Sequence, residues 1–254
     1  MATVYAPDDT LQSERRFFFV MACVLAAIIA AGFSLQLARG RSTFAVPLVY
    51  HVHAVVFMSW TALFVTQSTL ALRGEIARHR ALGRLGAALL PAMGVLGTAM
   101  TVVSLRRHGG PFFFAENEFL FLNVTGLWSA IVMFGFGMVL AARGEIARHR
   151  RVMLTTMAVL ATPGMGRLLP MPLFIPFSWW AIQATMMMIP AIGLVRDWRR
   201  DGHPHPDWLR TAAILLGAQL AAALVAFSPP GLALTHAVID GTPGAARPMA
   251  AYLP

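Results

Sequence analysis

Seven long apolar runs alternate with short polar, arginine-rich turns along the chain, at about residues 17–37, 45–71, 82–105, 118–142, 152–169, 174–195 and 210–228. Each is about as long as a helix needs to cross roughly 30 Å of hydrocarbon, some 20 residues. The pattern predicts an all-α integral membrane protein, a seven-transmembrane-helix bundle. Pro163, Gly164 and Gly166 interrupt the end of the fifth run, which makes it the least regular. Residues 1–228 read as a single membrane domain. The Pro-, Gly- and Ala-rich stretch 229–254 reads as a weakly ordered periplasmic tail.

The polar turns reveal a duplication. RGEIARHR occupies Arg73–Arg80 and returns letter for letter at Arg143–Arg150, an offset of 70 residues. At the same offset, Phe64, Leu70, Ala71, Ala88 and Leu90 match Phe134, Leu140, Ala141, Ala158 and Leu160, giving 13 identities in 27 positions. A unit of helix, turn and helix advances the chain by two crossings, so both copies enter the membrane in the same sense. Copies so related form a parallel repeat about an axis along the membrane normal, with units of about 45–105 and 115–169. Spans two to five are expected to form a four-helix core with spans one, six and seven around it. Gly83, Gly86, Gly94 and Gly97 allow close backbone approach and point to the third span as a central helix.

Composition adds orientation. The chain of 254 residues is 57% hydrophobic and only 12% charged, and all of its 20 basic residues are arginine. With the N-terminus inside, 14 of them fall on the inner side and 6 on the outer. That bias places the N-terminus in the cytoplasm and the C-terminus in the periplasm of a bacterial inner membrane. The net charge of +9 is then topology and contact with anionic lipids, not nucleic-acid binding. The lone Cys23 excludes an intrachain disulfide. Trp179, Trp180, Trp198 and Trp208 fall near expected interfaces, and 197–208 (DWRRDGHPHPDW) reads as a charged cytoplasmic loop with exposed His203 and His205.

Three groups of residues carry candidate chemistry. The first is a polar stripe on the second span, where His53, Trp60 and Gln67 repeat every seven residues and drift only about 20° per step. His51 lies about 160° round the helix, so His53 is expected to face the bundle and His51 lipid, another span or the outer interface. The offset sets Asn123, Ala130 and Gly137 against this stripe, so it is not duplicated. The second group is at the outer ends: His51, His108, Glu116, Glu118 and Arg167 combine imidazole, carboxylate and guanidinium. Those donors could hold a divalent metal or a polar headgroup, but without a fixed ligand spacing such as HExxH. The alternative is that Glu116 and Glu118 simply face water. The third is at the inner ends, where His79 and His149, one per repeat, are expected at equal depth on either side of the axis. They could share one haem iron or frame an anionic or quinone headgroup, with Arg80 and Arg150 available to an acid. Otherwise Glu75 and Glu145 with neighbouring arginines only cap helices and bind lipid phosphate.

HVHA with Trp60 and Gln67, then HRALGR at His79–Arg84, HRRVML at His149–Leu154 and PGMGRLLPMP at Pro163–Pro172, resembles an uncharacterised family of bacterial multi-pass membrane proteins with an early-helix His, Gln and HRxLGR turn. The resemblance covers about residues 15–200 and implies a small helical membrane protein without assigning an activity. A more distant similarity is to b-type cytochrome membrane domains. Those carry paired histidines about one leaflet apart on a helix, which no span here does, so two stacked haems are not expected. Three functions follow as expectations: a bundle that binds a redox cofactor (b-type haem), a quinone-like ligand or a metal in its duplicated core; a non-catalytic accessory or assembly subunit that contacts other membrane subunits; and a small transporter, disfavoured by the expected lack of a buried acid. No serine or cysteine sits in an activating context for nucleophilic catalysis.

Overall fold

The computed structural model describes residues 7–111 and 113–240, with side chains from residue 11 onward except that of His108. Among these residues all regular structure is helical: α1 (Pro7–Ala38), α2 (Leu48–Arg73), α3 (Ile76–His108), α4 (Glu116–Ala142), α5 (Ile146–Leu168), a 3-10 turn at Met171–Phe174, α6 (Ser178–Asp201), α7 (Pro206–Ala226) and α8 (Pro229–Ile239). Six of them, α1 to α4, α6 and α7, are long and apolar enough to cross a membrane. The chain is a helical membrane bundle. Residues 229–239, expected as weakly ordered, form α8, which starts on Ser228 with its Oγ accepting from Gly231 N and rests on α3 and α4. The remainder of that stretch, 241–254, lies outside the described residues.

The central helix is α5, not α3. It packs on α1, α4, α6 and α7, whereas α3 touches α2, α4 and α8. The glycines of α3 do give close approach, to side chains of α4 and α2: a Cβ at Gly94 or Gly97 would lie 2.4 Å from Ile131 or Leu127 of α4, and one at Gly97 would lie 3.3 Å from Phe57 of α2. In α5 the approach is between backbones. A Cβ on Gly32 of α1 would sit 2.3 Å from the Gly164 carbonyl oxygen, and one on Gly164 would sit 2.8 Å from the Cα of Ile29. Met157, Ala158 and Ala161 are wholly buried along the same helix. Enclosure by four neighbours explains why α5 can carry Arg148 to Arg151 and still lie inside the bundle.

The two RGEIARHR turns fold alike. Gly74 and Gly144 adopt left-handed φ of 75° and 76°, a conformation that favours glycine. In each copy the Glu amide donates to the carbonyl five residues earlier: Glu75 to Leu70 and Glu145 to Leu140, both at 2.9 Å. Identical sequence has produced an identical helix stop and restart.

At the end of the bundle that carries the RGEIARHR turns, α1, α5, α6 and α7 are tied by buried charge. Asp197, fully buried, accepts from Arg151 Nη2 at 3.0 Å, Arg196 Nη1 at 3.0 Å and Trp208 Nε1 at 2.8 Å. Asp207, also buried, accepts from Arg148 Nε at 3.1 Å and Arg210 Nη1 at 3.2 Å. Glu14 on α1 meets Arg150, Arg151 and Arg200. This revises the sequence reading at three points. The stretch 197–208 is largely helical, with His205 half-buried and only His203 exposed; Trp208 is fully buried, as is Trp179, while Trp180 and Trp198 remain exposed; and buried acids exist, each matched by arginine. Proximity in sequence hid the pairing, because the partners come from four helices.

Candidate functional site

The duplicated turns converge on one place. His79 opens α3 and His149 opens α5, and their rings approach to 6.4 Å between centroids, 87° apart in plane. Each Nδ1 lies on a backbone carbonyl twelve residues earlier, His79 on Gln67 O at 3.1 Å and His149 on Gly137 O at 2.8 Å. A carbonyl can only accept, so each Nδ1 carries the proton and donates. In the neutral ring the other nitrogen, Nε2, is then left with a bare lone pair. This is the arrangement by which a protein orients an imidazole as a ligand.

Around the pair, the two copies are complementary where they are not identical. Gln67 faces Gly83, whose Cβ would lie 3.8 Å from Gln67 Nε2; at the positions 70 residues on, Gly137 faces Met153, whose Sδ is 2.8 Å from where a Gly137 Cβ would be. Large opposite small in one copy has become small opposite large in the other. Seven residues before Gln67 the copies differ again. Trp60 packs between Phe64, at 6.3 Å, and its repeat equivalent Phe134, at 5.6 Å, while its counterpart Ala130 is fully buried. Both the Trp60 indole nitrogen and Gln67 Oε1 are buried without a hydrogen-bond partner. Buried polar atoms of this kind are rare and call for an explanation.

The arginines expected here separate. Arg80 is exposed, whereas Arg150 turns to Glu14 and lies over the Phe18 ring at 5.5 Å, so it is committed to α1 and not to an incoming acid. Glu75 pairs with Arg78 at 2.7 Å and Glu145 with Arg148, each within its own turn.

The stripe of the second span is split by depth. Trp60 and Gln67 belong to the inner group, and His53 stands apart near the opposite end, its ring 4.1 Å from that of Phe57 and its Nδ1 buried without a partner. His51 is half-buried. Asn123 donates to Phe119 O on its own helix at 2.7 Å.

No group of three or more His, Cys, Asp or Glu able to hold an ion occurs among the described residues. Glu118 Oε2 accepts from the Ala115 amide at 3.1 Å, closing the start of α4, and Glu116 stands at the first turn of the same helix. Arg167 lies instead against α1, with its guanidinium 4.2 Å above the Phe33 ring. The His108 side chain is outside the described residues. Expected depth in the membrane had grouped these residues; of the described side chains, Glu118 turns to the start of its own helix and Arg167 to α1.

Compared with known proteins, the chain matches no family model, no curated protein and no solved structure.

Proposed function

We propose that this is a multi-pass protein of a bacterial inner membrane that holds one haem-type iron between His79 and His149, at the axis of a parallel repeat. The observation that carries the proposal is the pair itself: two imidazoles fixed through Nδ1, 6.4 Å apart, with both Nε2 lone pairs uncommitted. His79 and His149 would hold the iron through their Nε2 atoms, and the iron would supply one-electron chemistry.

Donor chemistry separates the ligands that the sequence left open. A quinone carbonyl or an anionic headgroup offers acceptors, and two neutral Nε2 atoms are acceptors as well, so neither ligand gains a hydrogen bond there. Protonating both rings at 6.4 Å would set like charges side by side in a poorly solvated place. A Lewis acid satisfies both lone pairs. A bare zinc ion needs about four ligands, three of them from the protein even in open sites, and only two imidazoles converge here. A haem would bring most of its iron's ligands with it, so two histidines could hold it. The distant similarity to b-type cytochrome membrane domains supports the same reading.

On this reading α5 is the seventh span. The tight turn at Arg143–Glu145 sends it back alongside α4, and enclosure by other helices relieves it of the need to be apolar. The N-terminus is then cytoplasmic, the C-terminus periplasmic, and the histidine pair lies near the cytoplasmic face. Expression with haem supply, followed by purification in mild detergent, tests the site. A Soret band near one haem per chain, abolished in His79→Ala and in His149→Ala but kept in His53→Ala, is the expected result. A colourless protein that fails to take up added haemin and carries no metal would refute the proposal.

A further inference from the structure

Where α6 ends and α7 begins, the two helices leave a cleft on the outside of the bundle. On α6, Gly193 and Asp197 turn inward: Gly193 leaves room for the Trp208 ring of α7, and Asp197 accepts from its indole N–H at 2.8 Å. Leu194, Val195, Trp198 and Arg199 follow them at i, i+1, i+4 and i+5, positions that share a helix face. With Pro204 of the connecting loop and Leu209 of α7 they line a cleft of about 340 Å³. That volume falls at the lower end of the range for ligand pockets, about 300–1,000 Å³. The inward anchoring of Trp208, wholly buried, is what turns its neighbour Leu209 outward, 55% exposed, to form the far wall.

The lining is apolar except at the end of α6. Leu194 and Val195 lie about 6–7 Å further along the helix axis than Arg199, at 1.5 Å per residue. Trp198 and Arg199, both exposed, stand in the last turns of α6 and are the lining side chains that carry hydrogen-bond donors. The acids nearby are committed elsewhere: Asp197 to Arg151, Arg196 and Trp208, Asp201 to Arg200 at 3.3 Å, Asp207 to Arg148 and Arg210, and Glu14 to Arg150, Arg151 and Arg200. Among the described residues no carboxylate pairs with Arg199.

We infer that this cleft holds one anionic phospholipid, with an acyl chain against Leu194, Val195 and Leu209 and the phosphate at Arg199 and Trp198. Both α6 and α7 are long and apolar enough to cross a membrane, so a cleft between their outer faces opens on the bilayer. Tryptophan and arginine at the end of a span mark the headgroup level, where an amphipathic ring and a charge both find suitable surroundings. The cation selects the headgroup. A guanidinium meets a phosphate through parallel N–H donors, and a lipid of net negative charge brings no cation of its own to compete for that phosphate. Free phosphate would leave the apolar wall uncovered. The apolar helix of another protein would cover the wall but give Arg199 no acceptor. Unlike the exposed arginines of the turns, Arg199 thus adjoins a shaped apolar wall. The inference rests on α6 and α7 crossing the membrane and does not involve a haem.

The full-length protein in mild detergent is titrated with phosphatidylglycerol and, separately, with phosphatidylcholine, and bound lipid is counted by native mass spectrometry. Two variants attack the site by different means: Arg199→Gln removes the cation, and Val195→Trp fills the cleft without changing charge. Arg143→Gln, at an exposed arginine of the second turn, removes the same charge elsewhere. The wild type and Arg143→Gln should each retain one more phosphatidylglycerol than Val195→Trp. Arg199→Gln should bind that lipid about tenfold more weakly, the scale of a lost charge-assisted hydrogen bond. If Arg199→Gln cannot be purified, Val195→Trp and Arg143→Gln carry the test. Equal retention by the wild type and Val195→Trp would overturn the inference. So would a loss in Arg143→Gln as large as that in Arg199→Gln, which would make the binding a matter of net charge alone, and so would equal retention of phosphatidylcholine, which would remove the phosphate pairing from the site.

Discussion

Replacing Asp197 by Ala tests whether the buried charge network, and not apolar packing alone, fastens the end of the bundle that carries the RGEIARHR turns. The carboxylate is fully buried and accepts from Arg151, Arg196 and Trp208, on three different helix segments. Its removal leaves the Arg151 guanidinium, itself only 3% exposed, without its 3.0 Å partner. Breaking a buried ion pair from one side costs about 3–5 kcal/mol. The orphaned Trp208 N–H adds about 1 kcal/mol, for a total of about 4–6 kcal/mol. At about 2–4 °C per kcal/mol for a chain of this size, the melting temperature in detergent should fall by about 10 °C or more. Helical circular dichroism reads the transition. A thiol-reactive dye on Cys23, the only cysteine, reports the loosening of α1 at the same time. The cost comes from a buried cation left with only the more distant Glu14, at 3.7 Å, so removing both charges, Asp197→Leu with Arg151→Met, should restore at least half of the loss. Glu14 stays matched in that double variant by Arg150 and Arg200. A fall of less than 2 °C for Asp197→Ala, or a double variant less stable than the single one, would refute the reasoning.

Gly164→Leu should depress the melting temperature and the folded yield sharply, because a Cβ there meets the backbone of Ile29, while Gly135→Leu, with open space around it, should change neither; equal effects would contradict the packing of α1 on α5. Reporter fusions after Gly202 and after Gly241 should report opposite sides of the membrane, and the same side for both would remove α7 as a crossing. His205 at the start of α7 accepts from the Asp207 amide at 3.3 Å, and burial, helped by the charge of Arg151, lowers its pKa below the ordinary 6.5. The neutral form is the one that the fold favours, so its contribution is present above about pH 6.5 and is lost as pH falls through the folded value. Melting curves of His205→Asn should therefore show a weaker decline on acidification than the wild type, and parallel curves would remove His205 from the linkage.

The sequence alone determined the class of the molecule and its internal duplication. Twenty-residue apolar runs leave helices as the economical answer in a bilayer, since each helix satisfies its own backbone, and the repeated RGEIARHR announced two like turns, including the glycines at which they reverse. It also singled out His79 and His149, because their place in the repeat fixes them at matching points. Tertiary structure decided what faced what. The glycine count favoured α3 as the central helix, yet Gly32 and Gly164, one on each of two helices far apart in sequence, brought α1 and α5 together. Asp197 and Trp208 read as a polar loop because solvent exposure depends on neighbours, and theirs came from α1 and α5. The exchange of Gln67 and Gly83 for Gly137 and Met153 was present in the letters but had no meaning until contact was known. The same holds for Arg167. Its guanidinium lies over Phe33 of α1 and pairs with no carboxylate among the described residues, which no local pattern encodes.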